Sequence, residues 1–525
     1  MRENLSIGTA VPDEDAACAR AALALIVAFA LARVALAYSL GFGIDEAYTI
    51  AISRRLSLSY FDHPPLHQWL AHFSALLLGE GPSMRLPFIA LFAGTGWLMF
   101  VLTRKLFGAR AGVWAVFGLN ASAFFLVSAG GWIVPDGPLL FALAAAAIVF
   151  VSLFFDELES DAVRRLWLAG GFWLGLAGLS KYSAVLFAFG LVAFIALSPR
   201  QRRWFAHPAP YLAALLCVVI VSPVIVWNEE NQWISFAFQG VRGAPGAHWR
   251  PVQVGAMILG QILWITPWIF IPLAGALIAA ARLARRDERR LFLLCLSLPA
   301  IALFSLTPLW GAKGLPHWSM PGWFFVYPLL GAWFVEGWAR RFNARNWAIA
   351  SAALLGIITA ALVSQAATGW ITRALPLPRG AVDPTLEALN WAPLAASPLF
   401  NADTAPAFVV SAKWSEGGKI ALALGPRMPV IVASDDPRGM AFLDDSARFL
   451  GKDAVVIVPQ NRLASVEASL QPFFASLGDP QNVTLGRSGA DEIDLALIPA
   501  HGLTRPFPLP YPRQAASSPS PKALP

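Results

Sequence analysis

The sequence predicts a polytopic α-helical membrane protein with about eleven spans, followed by a small α/β domain. Three observations predict it. Of the 525 residues 57% are hydrophobic and 14% charged, where soluble domains carry about 25% charged residues. Apolar runs long enough to cross about 30 Å of hydrocarbon recur as far as residue 366. Beyond about 367, β-branched runs of strand length separated by Gly, Pro and Asp take their place.

The apolar runs lie near 21–40, 87–103, 111–128, 138–155, 166–180, 183–198, 209–227, 253–281, 291–309, 321–338 and 347–366. The basic connections TRKLFGAR (103–110), DAVRR (161–165), SPRQRR (198–203), ARLARRDERR (281–290) and ARRFNAR (339–345) occupy alternate positions between them. The positive-inside rule assigns that set, with residues 1–20, to the cytoplasm. The first long loop, 41–86, and everything after about 367 then face the other side. ALAYS after the first run offers small residues for signal cleavage, but the charge alternation continues correctly only if that run is a retained span.

Several functional classes lose support at once. The three cysteines, Cys18, Cys217 and Cys295, cannot make a disulfide framework. No zinc-ligand spacing, P-loop or GxGxxG fingerprint is present. The net charge of +7 lies mainly in the cytoplasmic set, where it orients the chain rather than marking a nucleic-acid surface.

The loop 41–86 is far longer than a turn. Asp45 suits an N-cap, with a short helix from Glu46 to about Leu56. Pro64 and Pro65 break the chain and start a second helix. Leu66, Trp69, Leu70, Phe73, Leu76 and Leu77 line one side of it, with His67, Gln68 and His72 on others. That pattern predicts a helix lying in the membrane interface. In the C-terminal part AFVVSA, MPVIVAS, DAVVIVP and IDLALIPA predict strands of an α/β domain within 367–503, beginning near 380. The stretch 504–525 is rich in Pro and Ser and predicts disorder.

Ionisable groups gather in the loops of one face. Asp45 and Glu46 point about 100° apart on a helix, so one can serve chemistry while the other caps or pairs with Arg54 or Arg55. Asp62 and His63 sit at a sharp turn, where capping is the competing explanation. Asp136 in VPDGP is the only charge between the third and fourth runs. Lys181 follows GLS, Arg242 lies in SFAFQGVR, and Lys313 and His317 lie in AKGLPHW, all on that face. A carboxylate there could take the proton of a hydroxyl attacking a lipid-linked phosphosugar, with cations stabilising the departing phosphate.

The segments IDEAY, YFDHPPLHQWL, RLPFIALFAG, WIVPDGPLL, GLSKYSAVLF, SFAFQGVR and LPHWSMPGW resemble bacterial membrane glycosyltransferases of the C superfamily. They look most similar to the family that includes lipopolysaccharide galacturonosyl transferases. Lipid A aminoarabinose transferases and protein O-mannosyltransferases are more distant. The resemblance covers most of 40–330. It implies a polyprenyl-phosphate-sugar donor and an envelope lipid or glycan acceptor at the periplasmic face of the inner membrane, with inversion at the anomeric carbon. It also implies Asp45, with Glu46, as the catalytic base position and Asp136 in the same site. Tyr60, Asp62 and His63 are then candidate substrate contacts, and Lys181, Arg242, Lys313 and His317 candidate phosphate contacts. Some members of the superfamily use a divalent metal and others do not; none is expected here, because a divalent ion usually needs more oxygen ligands than Asp45, Glu46 and Asp136 supply. The alternative class is a transporter or flippase of an envelope precursor. It would place its charges within spans near the midplane, whereas these charges cluster in loops.

Overall fold

The computed structural model describes residues 12–243, 249–312, 314–338, 343–375, 377–378, 381–401 and 405–511. Residues 1–11, most of the tail 504–525, and Lys313 fall outside this set. The chain divides into two compact units: one comprises the chain up to Ala37 with Arg85–Val221 and Arg242–Thr359, the other Tyr38–Met84, Ser222–Val241 and the chain from Ala360.

The helices of ten residues or more, through the apolar region, are α1 (Pro12–Ser39), α2 (Ile44–Ser53), α3 (Leu66–Leu78), α4 (Leu86–Phe107), α5 (Ala109–Asn120), α6 (Asp136–Phe155), α7 (Ser160–Ser180), α8 (Val185–Leu197), α9 (Ala209–Glu230), α10 (Ile234–Gly243), α11 (Pro251–Ile265), α12 (Pro267–Leu283), α13 (Glu288–Leu306) and α14 (Ala344–Thr368). Among the described residues, six of these, α1, α4, α6, α9, α13 and α14, are long and apolar enough to cross a membrane. Two further helix pairs reach that length together but are bent. The chain is a multi-pass membrane protein.

The bends revise two expected single spans. The run 111–128 breaks after Asn120 and turns by 86°. The run 253–281 breaks between α11 and α12 by 109°. The second break has a plain cause. Pro267 offers no N–H to the helical ladder and pushes its predecessor out of the α region, and Thr266 sits at φ +79°. The remaining expected runs fall on α7, α8 and a helix interrupted within 320–338.

The first unit is held by buried aromatics, among them Phe92, Phe100, Phe125, Phe150, Phe154 and Phe194. Within it Arg33 of α1 is 2% exposed. Its Nη2 donates to Asn120 Oδ1 at 2.8 Å and to the Phe125 carbonyl at 3.0 Å, and its guanidinium lies over the Phe92 ring. A charge inside a span is tolerated when partners of this kind surround it.

The second unit is built on a six-stranded sheet: β1 (Phe408–Ser411), β2 (Val430–Val432), β3 (Ala454–Pro459), β4 (Phe474–Leu477), β5 (Gln481–Arg487) and β6 (Ala490–Leu503). The order is β2-β1-β3-β6-β4, with β5 also on β6. β1 runs parallel to β2 and β3, and β6 runs antiparallel to its neighbours. Alternate residues feed two cores, Val409, Val455 and Ile457 on one face and Val410, Val456 and Val458 on the other, as the period of two requires. Helix α15 (Trp414–Leu424) connects β1 to β2, and α16 (Leu463–Leu470) follows β3. The four predicted strands are present. β4 and β5 were not predicted.

In α3 the hydrophobic side faces outward. Leu76 and Leu77 are 69% and 82% exposed, while His67 and Gln68 are 1% exposed. That distribution suits a helix whose leucines meet lipid and whose polar side packs on protein.

Candidate functional site

Helix α2 begins one residue earlier than Asp45, and the difference matters. Gly43 is the N-cap, so Asp45 falls in the first turn instead of capping it. Glu46 does the capping through its Oε2, which accepts from Gly43 N at 3.1 Å, and the residue is buried. From Glu46 to Ser53 every residue of α2 is buried, yet Asp45 is exposed at its start. Arg54, a candidate partner of this pair, instead bridges Glu80 at 2.7 Å.

Lys419 of α15 organises the approach to that turn. It is 5% exposed, and its Nζ donates to the carbonyls of Phe42, Glu387 and Leu389. Glu387 is thereby held beside Asp45. Burial pushes its carboxyl up from the usual range, the charge of Asp45 adds to the rise, and Lys419 opposes it.

Further along α2, Tyr48 OH donates to Asp62 Oδ1 at 3.1 Å and accepts from Gly439 N at 2.8 Å. Its phenol is pushed well above its ordinary pKa, by burial first and then by the charge of Asp62. Arg438, next to Gly439, stacks on Trp414 with its guanidinium carbon 3.8 Å from the ring centroid. Gly418 allows this packing, because a Cβ there would stand 2.7 Å from Tyr48 N.

The Tyr60–His63 segment is built into this scaffold. Tyr60 OH donates to the Arg55 carbonyl at 2.9 Å, and its own carbonyl accepts from Ser235 Oγ. Asp62 is 4% exposed, and its carbonyl accepts from Gln239 Nε2 at 2.7 Å. Tyr60 and Asp62, expected as substrate contacts, therefore turn inward: the sharp turn commits their polar groups to the chain itself. His63 is half-buried, edge-on to His67 with centroids 5.6 Å apart.

The other candidates lie in the first unit. Asp136 opens α6 and Lys181 follows α7, so the antiparallel pair brings them to one end. Lys181 Nζ donates to both Asp136 oxygens at 2.9 Å, with side chains 12% and 7% exposed. His317 meets the two bent helices. Its ring stacks on Phe124 at 6.2 Å and meets Trp264 edge-on at 6.3 Å, and those two rings touch each other at 5.8 Å. Arg242 reaches the same segment, its guanidinium carbon 4.8 Å from the Trp318 ring centroid. Arg242 and His317 are thus brought to one stretch of chain. Among the described residues, no cluster of three or more His, Cys, Asp or Glu side chains is placed to hold a metal.

Sequence reasoning missed Tyr48, Glu387, Lys419 and Arg438. Tyr48 and Gly439 stand 391 residues apart, and Lys419 and Phe42 377 apart, so no local pattern could pair them.

Residues 62–227 match the family described as dolichyl-phosphate-mannose-protein mannosyltransferase. The chain is 25% identical over 335 residues to the lipid A galacturonosyltransferase RgtD of Rhizobium johnstonii, a match that covers 60% of this chain and 66% of that protein. Crystal structures of ArnT from Cupriavidus metallidurans align with 90% of this chain and 97% of theirs at 16% identity. The TM-score is 0.61 for the form bound to undecaprenyl phosphate and 0.60 for the apo form.

Proposed function

We propose that this chain, whose fold is that of the C-superfamily membrane glycosyltransferases, moves a hexosyl or pentosyl group from a polyprenyl-phosphate donor to a hydroxyl. The acceptor is a lipid or glycan of the envelope, with lipid A the first to test because of the likeness to RgtD. The reaction takes place at the periplasmic face of the inner membrane.

One observation carries the assignment of the base: Asp45 is the exposed carboxylate at the start of a helix buried from Glu46 onward, and its neighbour Glu46 is occupied in capping. Asp45 accepts the proton as the acceptor oxygen attacks the anomeric carbon. The bond from that carbon to the phosphate oxygen breaks on the opposite side, inverting the centre, and polyprenyl phosphate leaves as an anion. Its stability removes the need for a strong acid, so fixed cations suffice. Lys181 and Arg242 supply that charge, and His317 is a further contact to the phosphate. Asp136 is the positioning residue that fixes the Lys181 ammonium through two hydrogen bonds. Tyr60 and Asp62 act by shaping the loop, with His63 at its surface.

The test is transfer by purified protein in nanodiscs, from polyprenyl-phosphate sugars to extracted envelope lipids, with Asp45→Asn as the variant. Loss of a general base predicts a fall of about 10²- to 10⁴-fold with an unchanged melting temperature, since Asp45 is exposed. Equal rates would remove Asp45 from the mechanism. Solute flux through proteoliposomes without any transfer would establish a transporter instead.

A further inference from the structure

A deep cleft of the second unit is lined by none of the residues that the sequence singled out. It holds about 950 Å³ and lies at the carboxyl ends of β1 and β3. Lys413, Ser415 and Glu416 follow β1, and Gln460, Asn461 and Arg462 follow β3. The chain leaves β1 through α15 toward β2 on one side, while β3 lies on the other. This is a topological switch point, the place where open sheets with parallel strands bind ligands. The volume falls within the range of small-molecule sites, about 300–1,000 Å³.

The lining chemistry selects among ligands. Five acidic residues face three basic ones, and Arg487 behind them, bound to Asp383 and Glu492, is a fourth cation, which leaves a net charge of −1. Of the three, Arg462 is bound to Glu416, and Lys419 is spent on backbone carbonyls. A phosphate group would meet net negative charge here. A hydroxyl-rich ligand would find acceptors in Glu387 and in the second carboxylate oxygens of Glu492 and Asp494, whose first oxygens accept from Arg487 and Thr484, and amide donors in Gln460 and Asn461, whose side chains are exposed. Glu416 is held by Arg462, so this carboxylate braces the wall of the cleft. Trp391 contributes an apolar surface.

The cleft also opens at the catalytic turn. Ile44, the residue before Asp45, lines it, and so does Glu387, whose carboxyl lies within the field of Asp45. We infer that this cleft is the acceptor subsite: it holds an uncharged, hydroxyl-rich saccharide portion of the acceptor, excludes its phosphates, and presents one hydroxyl at Asp45. The inference rests on the proposed transferase reading for its word "acceptor", but the saccharide site itself stands on the cleft alone.

The test separates the two. Hydrogen–deuterium exchange is measured on the full chain in nanodiscs, without donor, adding the de-O-acylated lipid A disaccharide with and without its phosphates. The expected result is slowed exchange in 413–424 and 459–463 with both probes. It is lost in Ser415→Trp, which fills the cleft, and weakened in a Gln460→Ala/Asn461→Ala double variant, whose exposed side chains leave folding intact. In transfer assays the same variants raise the half-saturating acceptor concentration by about ten-fold, the loss of two or three hydrogen bonds, more than they raise that of the donor. Absence of protection, or protection only by the phosphorylated probe, overturns the subsite. Transfer by wild type with an unaltered acceptor half-saturation in both variants also overturns it and leaves the enzyme standing. Protection of the cleft without transfer from any donor keeps the saccharide site and overturns the transferase reading.

Discussion

Gly418→Ala is a small change with an uneven predicted effect. A methyl group at 418 would stand 2.7 Å from Tyr48 N, 2.8 Å from Tyr48 Cα and 3.2 Å from the Ala47 carbonyl carbon. Ordinary contacts lie at about 3.5–4.0 Å, so α15 must withdraw from α2 by about 1 Å. Overpacking of this kind costs about 1–3 kcal/mol. Replacing glycine inside a helix returns about 1 kcal/mol, leaving a net loss of about 0–2 kcal/mol. Catalysis is less forgiving, because a misplacement of about 1 Å can cost about 100-fold in rate. Asp45 lies on the same helix, three residues before Tyr48. Thermal unfolding should therefore shift by only a few degrees while the transfer rate falls by one to two orders of magnitude, as about 1 Å of displacement implies. Parallel measurement in one preparation checks it. Wild-type rate together with a wild-type melting temperature would refute the claim that α15 sets the position of α2. A large loss of stability with a proportionate loss of rate would reduce the effect to misfolding.

The other expectations concern single interactions. Tyr48→Phe strands Asp62 Oδ1 and the Gly439 N–H, and should lower stability by about 1–3 kcal/mol, read as a drop in the unfolding midpoint. Lys181→Met leaves a buried carboxylate and should destabilise by about 3–5 kcal/mol. Adding Asp136→Leu should restore the midpoint without restoring transfer, which separates the pair's structural role from its phosphate role. Burial would raise the Asp383 carboxyl, but hydrogen bonds from Arg487, Thr385 and Gln365 outweigh it and hold it at about 2. A depressed pKa stabilises the fold above the ordinary carboxylate value and is lost as pH falls from about 4 toward 2. Unfolding midpoints followed across that window should fall more steeply in wild type than in Arg487→Gln. Arg242→Ala should raise the half-saturating donor concentration by about ten-fold or more, measured by initial rates.

The parts of the fold that could be read in advance are those that obey one local rule. Each apolar run is helical, and the basic loops alternate, because both follow from transfer of the chain into hydrocarbon. The break at Thr266–Pro267 was visible as a proline but sat inside a run of uninterrupted hydropathy. The break after Asn120 has no proline at all. The hairpin of β5 and β6 carried a signal in Ser488-Gly489, two residues at positive φ suited to a tight turn, but the polar residues before it masked the strand. At the candidate site the residue types in loop 41–86 were legible and their division of labour was not. Whether Asp45 or Glu46 caps α2 depends on where the helix starts, and Gly43 moves that start two residues ahead of the expected cap. The inward turn of Tyr60 and Asp62 depends on Tyr48, Ser235 and Gln239, partners that hydropathy does not reveal.

The bonds from Tyr48 to Gly439 and from Lys419 to Phe42 also set a timetable for the nascent chain. The first loop emerges early, yet Tyr48 waits for a partner 391 residues downstream. At synthesis rates of about 5–20 residues per second, that wait is about 20–80 seconds. Throughout it the buried face of α2 has no sheet domain to cover it, while α3 can already lie in the interface. Chains stalled or cut before residue 419 would carry an inserted membrane portion beside an uncovered loop, a state that folding factors and proteases outside the membrane could distinguish from the finished protein.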